Sequence, residues 1–159
     1  MNSFTPKNAV RSHMLRLNDQ PEVVFELFDP IGERKWDEEW NPNMVSQASM
    51  IGQGTVFTTE NKEGSDTIWL ITEFDKEKHK IAYAAVTPTI RATLIEISCN
   101  PEANHTKSRV TYNVTALSEG GNRYVNSFSE EYYREWMMNW EMAINHYIQH
   151  GSSMKHHKH

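Results

Sequence analysis

A long amphipathic helix closes the chain, and its apolar stripe constrains the fold most strongly because that stripe has to be buried. Ser127 and Glu130 have the spacing of a capping box, and Gly151 stands where a helix commonly ends. The pattern predicts a helix from about Ser129 to His150, roughly 33 Å long, which is enough to cross a small sheet. The stripe consists of Tyr133, Met137, Trp140, Ile144 and Tyr147 or Ile148.

Seven segments of strand length precede this helix, separated by stretches rich in glycine, proline and asparagine. The first strand is predicted at 10–17, and it is followed by a short helix that begins at Pro21 and a second short helix over Ile31 to Trp36. Short connections between the other strands favour an antiparallel meander. These strands are predicted at 44–51, 54–60, 66–74, 79–86, 90–99 and 107–117.

The order of the elements predicts an α+β fold in which a twisted, seven-stranded antiparallel sheet wraps around the long C-terminal helix. One helix cannot cover a whole concave sheet face, so the two short helices close the ends of the groove and a cavity is left. We expect one domain over residues 1–151, as suits a chain of 159 residues, and a disordered tail rich in His and Lys over 152–159.

Charge and cysteine content exclude several classes of function. Sixteen Lys and Arg residues against 21 Asp and Glu residues give a net charge of −5, so the positive field of a nucleic-acid binder is missing. Cys99 is the single cysteine, which leaves no intramolecular disulfide and fits a reducing cytoplasm. Neither a signal-peptide core nor a stretch of about 20 apolar residues is present, so we expect a cytoplasmic protein without stable membrane insertion.

No sequence motif predicts a metal or a cofactor. His146 and His150 have the i, i+4 spacing of zinc ligands, but no HExxH motif surrounds them and no third ligand is evident. The acidic triplet from Asp37 to Glu39 lacks the spaced oxygen ligands of a calcium loop. We therefore expect no cofactor and no bound metal, and the sequence leaves both a monomer and a homodimer open.

Several segments together resemble a known family. They are Gly32-Glu-Arg-Lys-Trp36, Trp40-Asn-Pro42, Gly52-Gln-Gly-Thr-Val-Phe-Thr-Thr59, Ile68-Trp-Leu-Ile-Thr-Glu-Phe-Asp75 and Ile81-Ala-Tyr83. With the order of the elements, they resemble the START-like or SRPBCC superfamily, which includes polyketide cyclases and lipid-transport proteins, over about residues 10–150. The resemblance implies the helix-grip fold with an internal hydrophobic cavity, and the lack of a Rieske-type Cys–His cluster excludes the oxygenase branch.

The resemblance favours a protein that sequesters or transports a small hydrophobic or amphipathic molecule of lipid-like or polyketide-like chemistry. Large rigid rings offer such a ligand contact area at a low entropic cost, although an aromatic residue on the helix stripe can equally be part of the core. The candidate ligand-binding residues are Trp36, Trp40 and Phe57 near the entrance, Trp69, Tyr83, Met137 and Trp140 as walls, and Glu73 or Arg91 as the polar anchor.

The orientation of Glu73 decides whether it can reach the cavity. Side chains alternate between the two faces of a strand, so Glu73 shares a face with Trp69 and Ile71. If that face points inward, Glu73 is the best candidate for a ligand anchor or a general base, whereas the opposite count leaves it on the outer face. Arg91 could pair with a ligand carboxylate or with Glu73, but an arginine at the start of a strand is more often a surface charge.

Two other functions stay open at this point. A cyclase or dehydratase would use the same cavity, with Glu73 abstracting a proton while Arg91 or Tyr83 stabilises the developing oxyanion. A protein-interaction module of the co-chaperone-activator type would instead use the loop from Trp36 to Pro42 as an exposed anchor.

Overall fold

The computed structural model describes residues 4–62 and 64–154, which form one sheet and three α-helices. The strands are β1 (Asn8–Leu17), β2 (Asn43–Met44), β3 (Val56–Thr59), β4 (Thr67–Asp75), β5 (Lys80–Thr87), β6 (Arg91–Glu102) and β7 (His105–Ala116). The helices are α1 (Pro21–Glu26), α2 (Glu119–Ser127) and α3 (Glu130–His150), and two short 3-10 turns cover Gly32–Lys35 and Ala48–Met50.

The seven strands are hydrogen-bonded in the order β1-β7-β6-β5-β4-β3-β2, and all neighbours are antiparallel. Strands β2 to β7 form a meander, and β1 joins its far edge by pairing with β7, from Asn8 opposite Thr115 to Leu17 opposite Thr106. The predicted seven-stranded antiparallel sheet with a long C-terminal helix is confirmed.

Side chains on β5, β6 and β7 alternate between a buried inner face and a more exposed outer face. The inner face carries Tyr83, Ile95 and Val110, which are all buried, whereas Leu94 on the outer face is exposed. The core therefore lies on one side of the sheet, between its inner face and the helices.

Helix α3 lies on this inner face and is hydrogen-bonded to strands near both of its ends. The Tyr133 hydroxyl donates to the Val110 carbonyl at 2.6 Å. Near the other end, Asn145 Nδ2 donates to the Arg16 carbonyl at 3.0 Å, and Asn145 Oδ1 accepts from the Asn18 amide at 2.9 Å. Among the described residues, neither α3 nor a shorter helix has the length and apolar character needed to span a bilayer.

The cap of α3 differs from the predicted one. Ser129 is the N-cap, and its side chain accepts from the Tyr132 amide at 3.0 Å, whereas Ser127 is the last residue of α2. The capping box expected from Ser127 is therefore wrong, because the chain is still helical there. At the other end, Gly151 adopts a left-handed φ of 71° and donates to the Tyr147 carbonyl at 2.7 Å, as predicted for a helix stop.

Helix α2 was not predicted, because its two adjacent glycines indicate a turn. A Cβ at Gly121 would lie 2.0 Å from the Ile90 carbonyl oxygen, so a glycine is needed for this close approach. The buried Asn122 holds the start of the chain, since its side chain accepts from the Lys7 amide at 2.8 Å and donates to the Thr5 carbonyl at 3.0 Å. Packing against neighbouring segments therefore outweighs the low helix propensity of glycine.

The strand predicted at 44–51 is also wrong. Only Asn43–Met44 pairs with β3, and the chain then enters the 3-10 turn Ala48–Met50, where Met50 is exposed. Of the tail predicted over 152–159, residues 152–154 are described, and the Ser153 hydroxyl donates to the Glu38 carboxylate at 2.6 Å. Residues 155–159 lie outside the described part of the chain.

Candidate ligand-binding cavity

A cavity of about 310 Å³ lies between the inner face of the sheet and α3. Side chains of β3 to β7 line one side, Trp136 and Trp140 of α3 line another, and residues of α2 and of the segments after α1 and β3 complete it. Ligand pockets in proteins typically have volumes of about 300–1,000 Å³. The cavity is therefore suited to a single small molecule.

Four aromatic residues on β3, β4, β5 and the loop before β2 form one packed group. Phe57 and Trp69 stack with their ring centroids 5.5 Å apart and their planes 9° from parallel. Trp40 contacts these two rings edge-on, at 5.9 and 5.4 Å. Tyr83 does the same at 6.1 and 5.7 Å. Because stacked and edge-to-face contacts are favourable, the rings hold one another in fixed orientations.

A second aromatic group joins α3 to β7. The Trp136 ring lies 5.0 Å from the Tyr112 ring and 5.2 Å from the Trp140 ring, in both cases edge-on. Trp36 packs on the far side against Trp140, at 5.3 Å. Tyr112, Trp136 and Trp140 line the cavity, so aromatic rings also form its α3 side.

Two indole N–H groups next to the cavity, those of Trp40 and Trp69, are already hydrogen-bonded. Trp40 Nε1 donates to the Pro30 carbonyl at 2.8 Å, and Trp69 Nε1 donates to Thr59 Oγ1 at 2.9 Å. These bonds fix both rings and leave their carbon surfaces to the cavity. A ligand would therefore meet Trp40 and Trp69 as apolar walls.

Glu33 brings a carboxyl group into the cavity from the 3-10 turn Gly32–Lys35. Burial raises its pKa well above the ordinary value, and the nearby carboxyl groups of Asp37 and Asp29 raise it further. Burial also raises the pKa of the Tyr83 and Tyr112 phenols, with Glu33 as the next contribution in both cases. The cavity thus favours the uncharged form of Glu33 and keeps two neutral phenols beside it.

The chain around Glu33 is held tightly. Asp29 Oδ1 accepts from the Ile31 amide at 2.9 Å and from the Gly32 amide at 2.6 Å. A Cβ at Gly32 would lie 1.8 Å from the Glu26 carbonyl oxygen, so a glycine is required there. Glu33 is therefore placed by a rigid turn and not by a flexible loop.

Other polar groups mark the remaining surface of the cavity. The Tyr83 hydroxyl donates to the Phe28 carbonyl at 2.6 Å and so fixes its ring. The Arg91 guanidinium lies over the Tyr124 ring, 3.9 Å from its centroid. Both residues of that pair line the cavity, so a cation held on an aromatic face is available to a polar end of a ligand.

Comparison with known proteins identifies the fold. No family model matches the sequence, and no curated protein is significantly similar to it. Among solved structures, norcoclaurine synthase from Thalictrum flavum in complex with dopamine and hydroxybenzaldehyde matches with a TM-score of 0.65 and 12% identity, over 94% of this chain and 91% of that chain. Ara h 8.0201 matches with a TM-score of 0.61 and 14% identity, over 90% of this chain and 99% of that chain.

A third match is the Mll3558 protein from Rhizobium loti, with a TM-score of 0.61 and 15% identity, over 88% of this chain and 99% of that chain. The chain has the helix-grip fold, as norcoclaurine synthase and Ara h 8.0201 do. At these identities the matches establish the fold alone, so the function of this helix-grip protein has to be argued from its own cavity.

Five of the nine candidate residues from the sequence line the helix-grip cavity. They are Trp40, Trp69, Tyr83, Arg91 and Trp140. Three others, Trp36, Phe57 and Met137, are buried in the core with exposed fractions of 3%, 0% and 0%. Their rings and side chains support the cavity walls from behind. Glu73 is the ninth.

Glu73 lies on the outer face of the helix-grip sheet, outside the cavity. A β-bulge interrupts β4, so that Ile71 pairs with Tyr83 whereas Glu73 pairs with Ala82. The extra residue shifts the alternation, which leaves Trp69 and Ile71 inward and turns Glu73 outward. The inward orientation considered for Glu73 is therefore wrong, because the bulge reverses the direction of its side chain.

Sequence reasoning missed Glu33, although the segment that carried the family resemblance contains it. A 3-10 turn has no regular period from which the direction of one side chain can be counted. The available signal was Gly32, a glycine immediately before an acidic residue in a short helical segment. That signal indicates a close backbone approach, but it does not indicate a cavity.

Other groups that can bear chemistry lie apart from the cavity. Burial raises the pKa of the Cys99 thiol to about 11, and the Ser108 hydroxyl donates to Cys99 Sγ at 3.2 Å. A thiol with such a pKa is a poor nucleophile. The His146 and His150 rings lie 4.4 Å apart, and within residues 4–62 and 64–154 no three His, Cys, Asp or Glu side chains are grouped to hold a metal.

Proposed function

We propose that this protein binds one small aromatic or amphipathic molecule in its helix-grip cavity and sequesters or transports it. The observation that carries the proposal is a cavity of about 310 Å³ bounded by two groups of packed aromatic rings. Removing apolar ligand surface from water contributes about 25 cal/mol per Å². Rings that are already held in place lose little entropy when a ligand binds.

Two polar groups that can orient a ligand in the cavity support this proposal. Glu33 and Arg91 both line the cavity, and each is anchored by its own segment of the fold. Small-molecule sites typically combine apolar walls with a few placed polar groups. The norcoclaurine synthase solved with dopamine and hydroxybenzaldehyde is a further support, since it is a protein of this fold with small aromatic molecules bound.

Each of the two alternative functions loses one residue on which it depended. The cyclase-type mechanism assigned proton abstraction to Glu73, which lies on the outer face of the sheet. The interaction module needed an exposed loop from Trp36 to Pro42, yet Trp36 is 3% exposed and its Nε1 donates to the Leu27 carbonyl at 2.7 Å. We therefore favour ligand binding.

Filling the cavity is expected to abolish binding. Ala85 on β5 is buried and lines the cavity, whereas its neighbour Ala84 lies on the outer face of the same strand. Ala85→Phe places a ring in the ligand's volume, and Ala84→Phe is the matched control. We expect wild-type protein and A84F to bind the neutral probe N-phenyl-1-naphthylamine in fluorescence titrations, and A85F to bind it at least about tenfold more weakly.

Native mass spectrometry of freshly purified protein, followed by organic extraction, identifies any ligand that is carried through purification. An adduct is expected in wild-type protein and A84F and not in A85F. Equal probe binding by a folded A85F, as judged by circular dichroism, would place the ligand elsewhere and would contradict the proposal.

A further inference from the structure

Within residues 4–62 and 64–154, the Glu33 carboxyl group has no hydrogen-bond donor. The hydrogen bonds of Glu33 are made by its backbone, whose amide donates to the Asp29 carbonyl at 2.9 Å and whose carbonyl accepts from the Trp36 and Asp37 amides at 3.3 and 3.0 Å. The carboxyl oxygens are open to the cavity, since no side-chain oxygen among the described residues is both fully buried and without a hydrogen-bond partner. Water or a bound ligand can therefore partner them, and a ligand that displaces this water has to provide a donor or a cation in its place.

The two charged groups that act most strongly on Glu33 are of its own sign. Asp37 and Asp29 are the carboxyl groups that act on it, and Glu60 also lines the cavity. Tyr83 and Tyr112 line the same cavity, and burial raises the pKa of both phenols. Arg91 lines the cavity too, but its guanidinium lies on the Tyr124 ring. The Glu33 side of the cavity is thus electronegative, which favours a positive ligand group.

Aromatic rings strengthen this preference. The faces of Trp and Tyr rings carry negative partial charge and attract ammonium groups within about 6 Å. Tyr83 and Tyr112 belong to the two aromatic groups that bound the cavity, and the charge of Glu33 raises the pKa of both phenols. A carboxylate beside aromatic rings is a suitable environment for a desolvated ammonium ion.

We propose that the cavity selects a small aromatic amine, whose ammonium group pairs with the Glu33 carboxylate while its ring packs against the aromatic walls. This assignment rests on the proposed small-molecule binding. Burial and the neighbouring carboxyl groups raise the pKa of Glu33, so the protonated fraction of this carboxyl gives its O–H proton to water when the ammonium ion pairs with it. The charge balance is one cation bound and one proton released, with no covalent bond made or broken apart from the carboxyl O–H.

A matched set of indole probes tests the inference. Tryptamine, tryptophol and indole-3-propionate carry the same ring on a two-carbon linker with a positive, neutral or negative end group. In isothermal titration calorimetry at pH 7 we expect tryptamine to bind at least about tenfold more tightly than tryptophol, and indole-3-propionate to bind most weakly. Glu33→Gln is expected to bring the ratio of the tryptamine and tryptophol affinities close to one, whereas the exposed control Glu39→Gln keeps the wild-type ratio.

Proton release provides a readout that a structural role of Glu33 would not produce. Titrations at one pH in phosphate and bis-Tris buffers, whose ionisation enthalpies differ, are expected to show protons released on tryptamine binding. No release is expected with tryptophol or with E33Q.

The outcomes separate the two proposals. Equal affinities for the three probes would overturn the amine assignment and leave ligand binding intact. Tightest binding of indole-3-propionate would also overturn it, in favour of Arg91 as an anchor for anions. The absence of binding by all three probes, together with the failure of N-phenyl-1-naphthylamine to bind, would overturn both proposals.

Discussion

Replacing Trp140 with alanine is expected to lower the free energy of unfolding by about 3–5 kcal/mol, the usual range for truncating a buried tryptophan. Trp140 is 8% exposed, and its ring contacts those of Trp36, Trp136, Phe28 and Tyr112 at centroid distances of 5.3, 5.2, 6.3 and 6.5 Å. Truncation removes these contacts and enlarges a cavity that the fold cannot close by collapse, because the walls are held on separate elements. Urea denaturation at neutral pH measures the loss.

Tyr132 supplies a matched control on the same helix, because it carries a large ring but is 54% exposed. Tyr132→Ala is expected to change stability by less than about 1 kcal/mol. Trp140→Phe keeps part of the contact area and provides a measurable variant if W140A does not fold. A loss below about 1 kcal/mol in W140A would show that Trp140 is not an integral part of the packed wall.

Glu33→Gln is expected to stabilise the protein at neutral pH and not in acid. The pKa of Glu33 is higher in the folded than in the unfolded chain because of burial and of Asp37 and Asp29. Its favourable contribution is therefore complete below the ordinary glutamate pKa of about 4.3 and is lost as the pH rises towards the folded-state pKa. Glutamine does not ionise, so E33Q escapes this loss, which we expect to amount to about 1–3 kcal/mol at pH 7–8.

The measurement is urea denaturation of both proteins at several values of pH between about 4 and 8. The difference between E33Q and wild type should be close to zero at the acid end and should grow with pH. Glu39→Gln removes an exposed carboxylate from the same segment and should show no such dependence. A difference that is constant across the range would mean that Glu33 ionises as easily in the folded protein as in the unfolded chain.

Periodicity in the sequence was sufficient for the main architecture. The stripe of α3 matched the buried residues Tyr133, Met137, Trp140 and Ile144, because an apolar face repeated over 21 residues can be buried in few ways. The alternation in β5 to β7 located the inner face for the same reason. By contrast, α2 and the start of the meander were missed, since a contact with the Ile90 carbonyl and a two-residue edge strand leave no periodic signal.

The sequence by itself determined the sheet and its long helix, because regular alternation is a local property of the chain. Only the tertiary structure decided which carboxyl group reaches the cavity. A single bulge in β4 turns Glu73 to the outer face. A glycine that lets the backbone pass close to the Glu26 carbonyl brings Glu33 inside. Both outcomes depend on contacts between distant segments, so counting side-chain directions along one strand or turn cannot predict them.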